Sequence, residues 1–331
     1  MTNRSLSPRP ARRVQRHGLS KLAFVFPGQG SQHVGMGKAL WEAFPTARSI
    51  FEQADDVLGF AISQLCFEGP EDRLQQTANA QPAILTTSMA CLAVLQKEAG
   101  VEPGVVAGHS LGEYSAIVAA GVTDFPTALK LVRLRGLVMQ QAAETRPGAM
   151  AAMIGADDAV VEDACRAVRE QGGVVCIANY NSPGQTVISG EAGAVQRAID
   201  LARERGARRA IPLPVGGAFH SPLMAEAADQ LAQALAKATL GAARVPVVAN
   251  VSADGEVSVE RIAAGLVQQL CAPVQWTRSV RYMAERGVST YVEVGPGQVL
   301  SGLIKRIERE AQVLAVNDPE TVRTVAQALR A

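Results

Sequence analysis

Three features of the sequence predict an α/β fold, with an α/β-hydrolase-like large domain on a parallel sheet and an inserted ferredoxin-like small domain. Short apolar runs end in glycine loops, long helical stretches separate them, and the middle of the chain switches to the order β-α-β-β-α-β. The first apolar run, Leu22–Phe26, passes into Pro27-Gly28-Gln29-Gly30 and reads as a buried strand entering a loop. The second, residues 104–107, ends at Gly108-His109-Ser110-Leu111-Gly112. Apolar residues then recur at helical spacing at Leu111, Tyr114, Ile117 and Val118. Further helices are predicted over residues 82–98, 126–143 and 221–239. Strands alternating with helices imply a parallel sheet covered on both faces.

In the middle, strands are predicted at 150–154, 174–178, 185–189 and 209–215, with helices at 157–170 and 192–205. The turn-rich Asn179-Tyr180-Asn181-Ser182-Pro183-Gly184 separates the second and third strands. The small domain is therefore placed at 148–215, between two parts of the large one at 21–147 and 216–331. The chain resumes with strands at 245–251 and 290–294 and a helix at 259–269. The last strand ends at Gly295-Pro296-Gly297, which suits ligand binding at strand C-termini.

Residues 1–20 stand apart, with five arginines and no acid. That composition belongs to a disordered tail, an organelle transit peptide or an over-long start. A disordered basic extension of a cytoplasmic protein is the reading adopted. A net charge of +1 gives no electrostatic case for nucleic acid, and aromatics at 4% supply no stacking platform for bases. No apolar run is read as approaching the roughly 20 residues of a membrane span. The five cysteines are odd in number and never spaced Cys-x-x-Cys, so neither a disulfide framework nor a metal site is expected.

Gly108-His109-Ser110-Leu111-Gly112 has the Gly-x-Ser-x-Gly pattern of a nucleophile elbow, placed after a strand and before a helix. A serine there sits at a helix N-terminus, and the Leu111 amide points toward any oxyanion formed beside it. Serine needs a base, and the chain has four histidines. His17 lies in the tail, His33 follows the first glycine loop, and His109 adjoins the serine. His220, in the glycine-rich turn Gly216-Gly217-Ala218-Phe219-His220-Ser221, is the base by elimination.

Four ordered motifs carry a resemblance. They are Phe26-Pro27-Gly28-Gln29-Gly30-Ser31-Gln32, Gly108-His109-Ser110-Leu111-Gly112-Glu113-Tyr114-Ser115, Ala218-Phe219-His220-Ser221 and Glu293-Val294-Gly295-Pro296-Gly297. From about Lys21 onward the chain resembles the malonyl-CoA:acyl carrier protein transacylases of fatty-acid and polyketide synthesis. The resemblance implies transfer of malonyl from malonyl-CoA to the phosphopantetheine thiol of an acyl carrier protein, with no bound cofactor and a monomeric enzyme. It assigns Ser110 as nucleophile, His220 as base, and the amides of Gln29 and Leu111 as oxyanion donors. Arg135 is assigned to the malonyl carboxylate, Asn181 to the substrate side, and Phe219 to limiting space at the α-carbon. The backbone carbonyl of Gln275 is assigned to orienting His220. An acidic carrier would dock on basic surface, for which Arg208, Arg209, Arg278, Lys305 and Arg306 are candidates.

Two other readings remain open on sequence. A serine esterase would follow the chain order Ser, acid, His, with the histidine late, whereas His220 lies mid-chain. A non-catalytic carrier-binding subunit would lack the nucleophile or the base, and both are present.

Overall fold

The computed structural model describes residues 21–330, so the basic extension expected at 1–20 lies outside the described residues. Ten strands occur in chain order: β1 Leu22–Phe26, β2 Val105–Gly108, β3 Ala149–Ile154, β4 Val175–Ser182, β5 Gln185–Gly190, β6 Arg209–Pro212, β7 Val247–Val248, β8 Gly255–Glu256, β9 Thr290–Val294 and β10 Gln312–Val316. They form two sheets. The larger has the order β10-β9-β1-β2-β7-β8, parallel except for the antiparallel edge pair β7–β8. The smaller has the order β4-β5-β3-β6, antiparallel throughout.

The apolar runs read from the sequence become the centre of the large sheet. β1 and β2 pair in register, Phe26 beside Gly108, so both glycine loops leave the sheet at the same edge. Their side chains are buried on both faces, as a covered parallel sheet requires. The smaller sheet carries its own core, in which Met153, Val161, Val168, Ile177, Ile188 and Ile199 pack together. The order β-α-β-β-α-β expected for residues 148–215 is present.

Several elements differ from the sequence reading. The strand expected over 245–251 is only Val247–Val248, because the chain turns at Asn250 to bring its side chain to the elbow. β10 and the helix Pro319–Arg330 were not anticipated. The helix expected from residue 82 spans Thr77–Ala99, with Pro82 inside it. Proline supplies no N–H to the carbonyl four residues back, Ala78. Arg133 Nη1 donates to that carbonyl instead, at 2.5 Å, so Arg133 is not the solvated residue its position suggests. This helix is long and apolar enough to span a bilayer by composition, yet nearly all of it is buried inside the protein. It is the central core helix.

The helix Phe125–Thr145 packs on it through a close approach at Gly136. A Cβ at Gly136 would lie 2.8 Å from the Thr77 carbonyl oxygen, so only glycine lets the two backbones come this near. That approach carries the neighbouring Arg135 into the interior, 1% exposed.

The elbow is equally tight. A Cβ at Gly108 would fall 1.9 Å from the Gly112 carbonyl carbon, and one at Gly112 would fall 2.1 Å from the Phe26 carbonyl oxygen. Phe26 O already accepts from His109 N at 3.0 Å, so it has no room to retreat. Gly112→Ala should therefore destabilise the protein by about 1–3 kcal/mol. Thermal unfolding followed by circular dichroism reads this as a lower Tm, and a parental Tm would show slack in the turn.

Candidate active site

The sharp turn from β2 into the helix Gly112–Ala119 holds Ser110 at φ 51°, a left-handed conformation that costs a non-glycine residue energy. His220 sits in the same region of backbone space, at φ 56°. Both strained residues face one cleft, also lined by Gln29, Arg135 and Phe219. Ser110 Oγ lies 2.8 Å from His220 Nε2 and accepts from Arg135 Nη2 at 3.1 Å.

Asn250 clasps the strained turn. Its Oδ1 accepts from Ser110 N at 2.7 Å, and its Nδ2 donates to the Gly108 carbonyl at 2.6 Å. The Ser110 amide is thereby used up, and the Gly30 amide is used up by Gln32 Oε1 at 2.7 Å. The amides of Gln29 and Leu111 donate to no protein acceptor among the described residues. These two N–H groups are left free beside the nucleophile.

The His220 imidazole is oriented by a carbonyl. His220 Nδ1 donates to the Gln269 carbonyl oxygen at 2.7 Å, which leaves Nε2 as the acceptor facing Ser110. The expectation that Gln275 supplies this carbonyl is corrected. The Gln275 carbonyl accepts from Ser279 N at 2.9 Å, in the first turn of the helix Trp276–Glu285, and so has no access to His220. Gln269 was missed, although a signal existed. Ile262 and Leu266 mark the buried stripe of the helix Val259–Gln268, and Gln269 continues that stripe as a polar residue.

Arg135 is held by three neutral oxygens. Besides Ser110 Oγ, its Nη1 donates to Gln81 Oε1 at 2.7 Å and its Nη2 to Gln269 Oε1 at 2.8 Å. Its Nε is buried and has no partner among the described residues. Asn181 lies on β4 in an adjoining pocket, with its Oδ1 2.8 Å from His109 Nε2. Phe219 closes the cleft beside the base.

Burial and the nearby Arg135 charge lower the His220 pKa to about 3. Glu113, from the elbow helix, is 1% exposed, and burial raises its carboxyl to about 7. Among the described residues no cluster of His, Cys, Asp and Glu could hold a metal ion, and all five cysteines are free thiols.

A base must be neutral to accept a proton, and a depressed pKa keeps His220 neutral on the acid side of an ordinary imidazole. Attack by Ser110 should therefore show no loss of rate with a midpoint near pH 6.5. The check is the rate of covalent labelling by a malonyl thioester, read by intact mass from pH 5 to 8. A loss centred near 6.5 that persists in Glu113→Gln, which lacks the carboxyl raised to about 7, would mean that His220 titrates as if solvated.

The acyl transferase domain family matches residues 23–327. The malonyl CoA-acyl carrier protein transacylase of Bacillus subtilis (strain 168) is 48% identical over 94% of this chain and 98% of its own length. That of Escherichia coli (strain K12) is 48% identical over 92% of this chain and 98% of its own. Among solved structures, an acyl carrier protein S-malonyltransferase from Vibrio cholerae is similar with a TM-score of 0.90 and 47% identity, covering 92% of this chain and 100% of that one. A malonyl-transacylase in complex with a type II polyketide synthase acyl-carrier protein has a TM-score of 0.90 and 47% identity, covering 93% and 100%. With a family match across nearly all the described residues and relatives this similar over their full length, the chain belongs to the acyl transferase family of the malonyl CoA-acyl carrier protein transacylases.

Proposed function

We propose that this chain transfers a malonyl group from malonyl-CoA to the phosphopantetheine thiol of an acyl carrier protein, through a malonyl ester on Ser110. The observation that carries this reading is Ser110 Oγ set between His220 Nε2 and the buried Arg135 guanidinium. A nucleophile with a neutral base is common to acyl-transfer enzymes. A buried cation beside it, bonded only to neutral oxygens, selects an acyl group that ends in a carboxylate.

Ser110 gives its proton to His220 Nε2 as Oγ attacks the thioester carbonyl carbon. The oxyanion forms against the Gln29 and Leu111 amides. The C–S bond then breaks, and the coenzyme A sulfur leaves with the proton from His220. The carrier thiol gives a proton to His220 as its sulfur attacks the malonyl ester, and the C–O bond breaks as Ser110 Oγ takes that proton from His220 Nε2. The Gln269 carbonyl stands where a hydrolase triad would place an acid. That supports transfer over esterase chemistry.

The antiparallel order of the small sheet supports a ferredoxin-like domain at 148–215 within an α/β-hydrolase-like domain at 21–147 and 216–331. A cytoplasmic monomer serving fatty-acid or polyketide synthesis completes the reading. Of the basic residues considered for carrier docking, Lys305 donates to the Ala311 carbonyl and Arg306 to Gln185. Arg208, Arg209 and Arg278 are the better candidates.

Two experiments test the proposal. Malonyl-CoA alone should add one malonyl group to the protein, and Ser110→Ala should abolish it; labelling of that variant would place the nucleophile elsewhere. Arg135→Ala should lower malonyl kcat/KM by about ten- to a few-hundred-fold, the worth of one charge-assisted pair. Acetyl transfer should fall little or rise. Equal losses on both substrates would mean that another group reads the carboxylate.

A further inference from the structure

We propose that Glu113 is a positioning residue for acyl selectivity: by accepting from the side-chain amide of Gln269, it fixes that amide with its oxygen toward Arg135. The inference rests on the reading that Arg135 binds the substrate carboxylate.

Gln269 does two separate things. Its backbone carbonyl orients His220, while its side chain meets Arg135, Ser110 and Glu113. A guanidinium can only donate, so Gln269 must meet Arg135 with Oε1. The two ends of an amide are nearly the same shape, and sterics alone do not choose between them. The choice is made at the opposite end. Gln269 Nε2 donates to Glu113 Oε2 at 2.6 Å and to the Ser110 carbonyl at 3.1 Å. The Ser110 carbonyl already accepts from Glu113 N at 3.1 Å, so the short bond to Glu113 is the stronger constraint.

A flipped Gln269 would set an N–H against the guanidinium and an oxygen against two oxygens. Arg135 would then lose one of its three anchors and move relative to Ser110. Glu113 is itself fixed, since Oε2 also accepts from Asn250 N at 3.2 Å. Its Oε1 accepts from no donor among the described residues, and no cation forms an ion pair with the carboxylate. A buried carboxylate without an ion-pair partner is costly. Its placement is explained by the acceptor that it offers Gln269.

The side chain of Gln269 touches the group that reads the acyl carboxylate, and its backbone touches the base. Removing the Glu113 acceptor should therefore change selectivity more than the chemistry common to all acyl groups. Steady-state transfer from malonyl-CoA and acetyl-CoA would be measured for the parent, Glu113→Met, Glu113→Gln, Arg135→Ala and the double variant Glu113→Met/Arg135→Ala.

Glu113→Met should lower the malonyl-to-acetyl ratio of kcat/KM by about ten- to a hundredfold, the scale of a misplaced binding group. Glu113→Gln keeps an acceptor oxygen at the same reach and should restore most of the ratio. In the Arg135→Ala background, Glu113→Met should leave the ratio unchanged. If Glu113→Met does not fold, Gln269→Met keeps the backbone carbonyl and should produce the same loss of ratio. Equal losses on both acyl groups, or no rescue by glutamine, would overturn the proposal and leave Glu113 a packing residue. A normal ratio in Arg135→Ala would instead overturn the reading of Arg135.

Discussion

A guanidinium buried at the cleft wall, with only neutral oxygens as its hydrogen-bond acceptors among the described residues, is the constraint around which this site is built. Arg135 carries a full charge, and burial works against it. Three acceptors hold it: Gln81 from the core helix, Gln269 from the end of another helix, and the Ser110 hydroxyl. None is a carboxylate. A direct Asp or Glu partner would stabilise the resting protein better and would occupy the place a substrate carboxylate needs. The nearest acid, Glu113, is kept one residue away behind Gln269. The resting site is thus left short of one negative charge, as the proposed binding of an anionic acyl group requires.

The surrounding fold has to tolerate that arrangement. Gly136 lets the helix bearing Arg135 approach the core helix closely enough to deliver the side chain. Pro82 frees the Ala78 carbonyl, which Arg133 then satisfies across the same contact. Two neighbouring arginines on one helix therefore have opposite fates, one bracing the packing and one entering the cleft. Ser110 and His220 are also held in left-handed backbone, and Asn250 braces the turn leading into the serine. Such strain persists only where the surroundings over-determine it. The same arginine helps to keep His220 neutral, so the selectivity group and the base are electrostatically coupled.

Much of this was legible in the sequence, and the reasons are local. Gly108 and Gly112 announce the elbow because no larger residue fits that turn. The strand before it and the helix after it follow from periodicity. His220 was found by elimination among four histidines. Arg135 was assigned by resemblance rather than by pattern. Gln275 was the wrong choice for the carbonyl. A backbone carbonyl leaves no trace in residue type, and the first turn of a helix consumes the one on Gln275.

The sequence by itself determined the alternation of strands and helices, the β-α-β-β-α-β order of the middle segment, the elbow and the histidine proposed as its base. These depend on periodicity, on glycine and on the few residues able to do the chemistry. Only the tertiary structure decided how Asn250, Gln269 and Glu113 converge on Ser110, from sequence separations of 140 and 159 residues for the first two. Amides and acids are common on any surface, and nothing local marks the ones that are buried. Their roles come from the parallel pairing of β1, β2 and β7, which brings distant strand ends to one edge of the sheet, where each polar group must find a partner among the others.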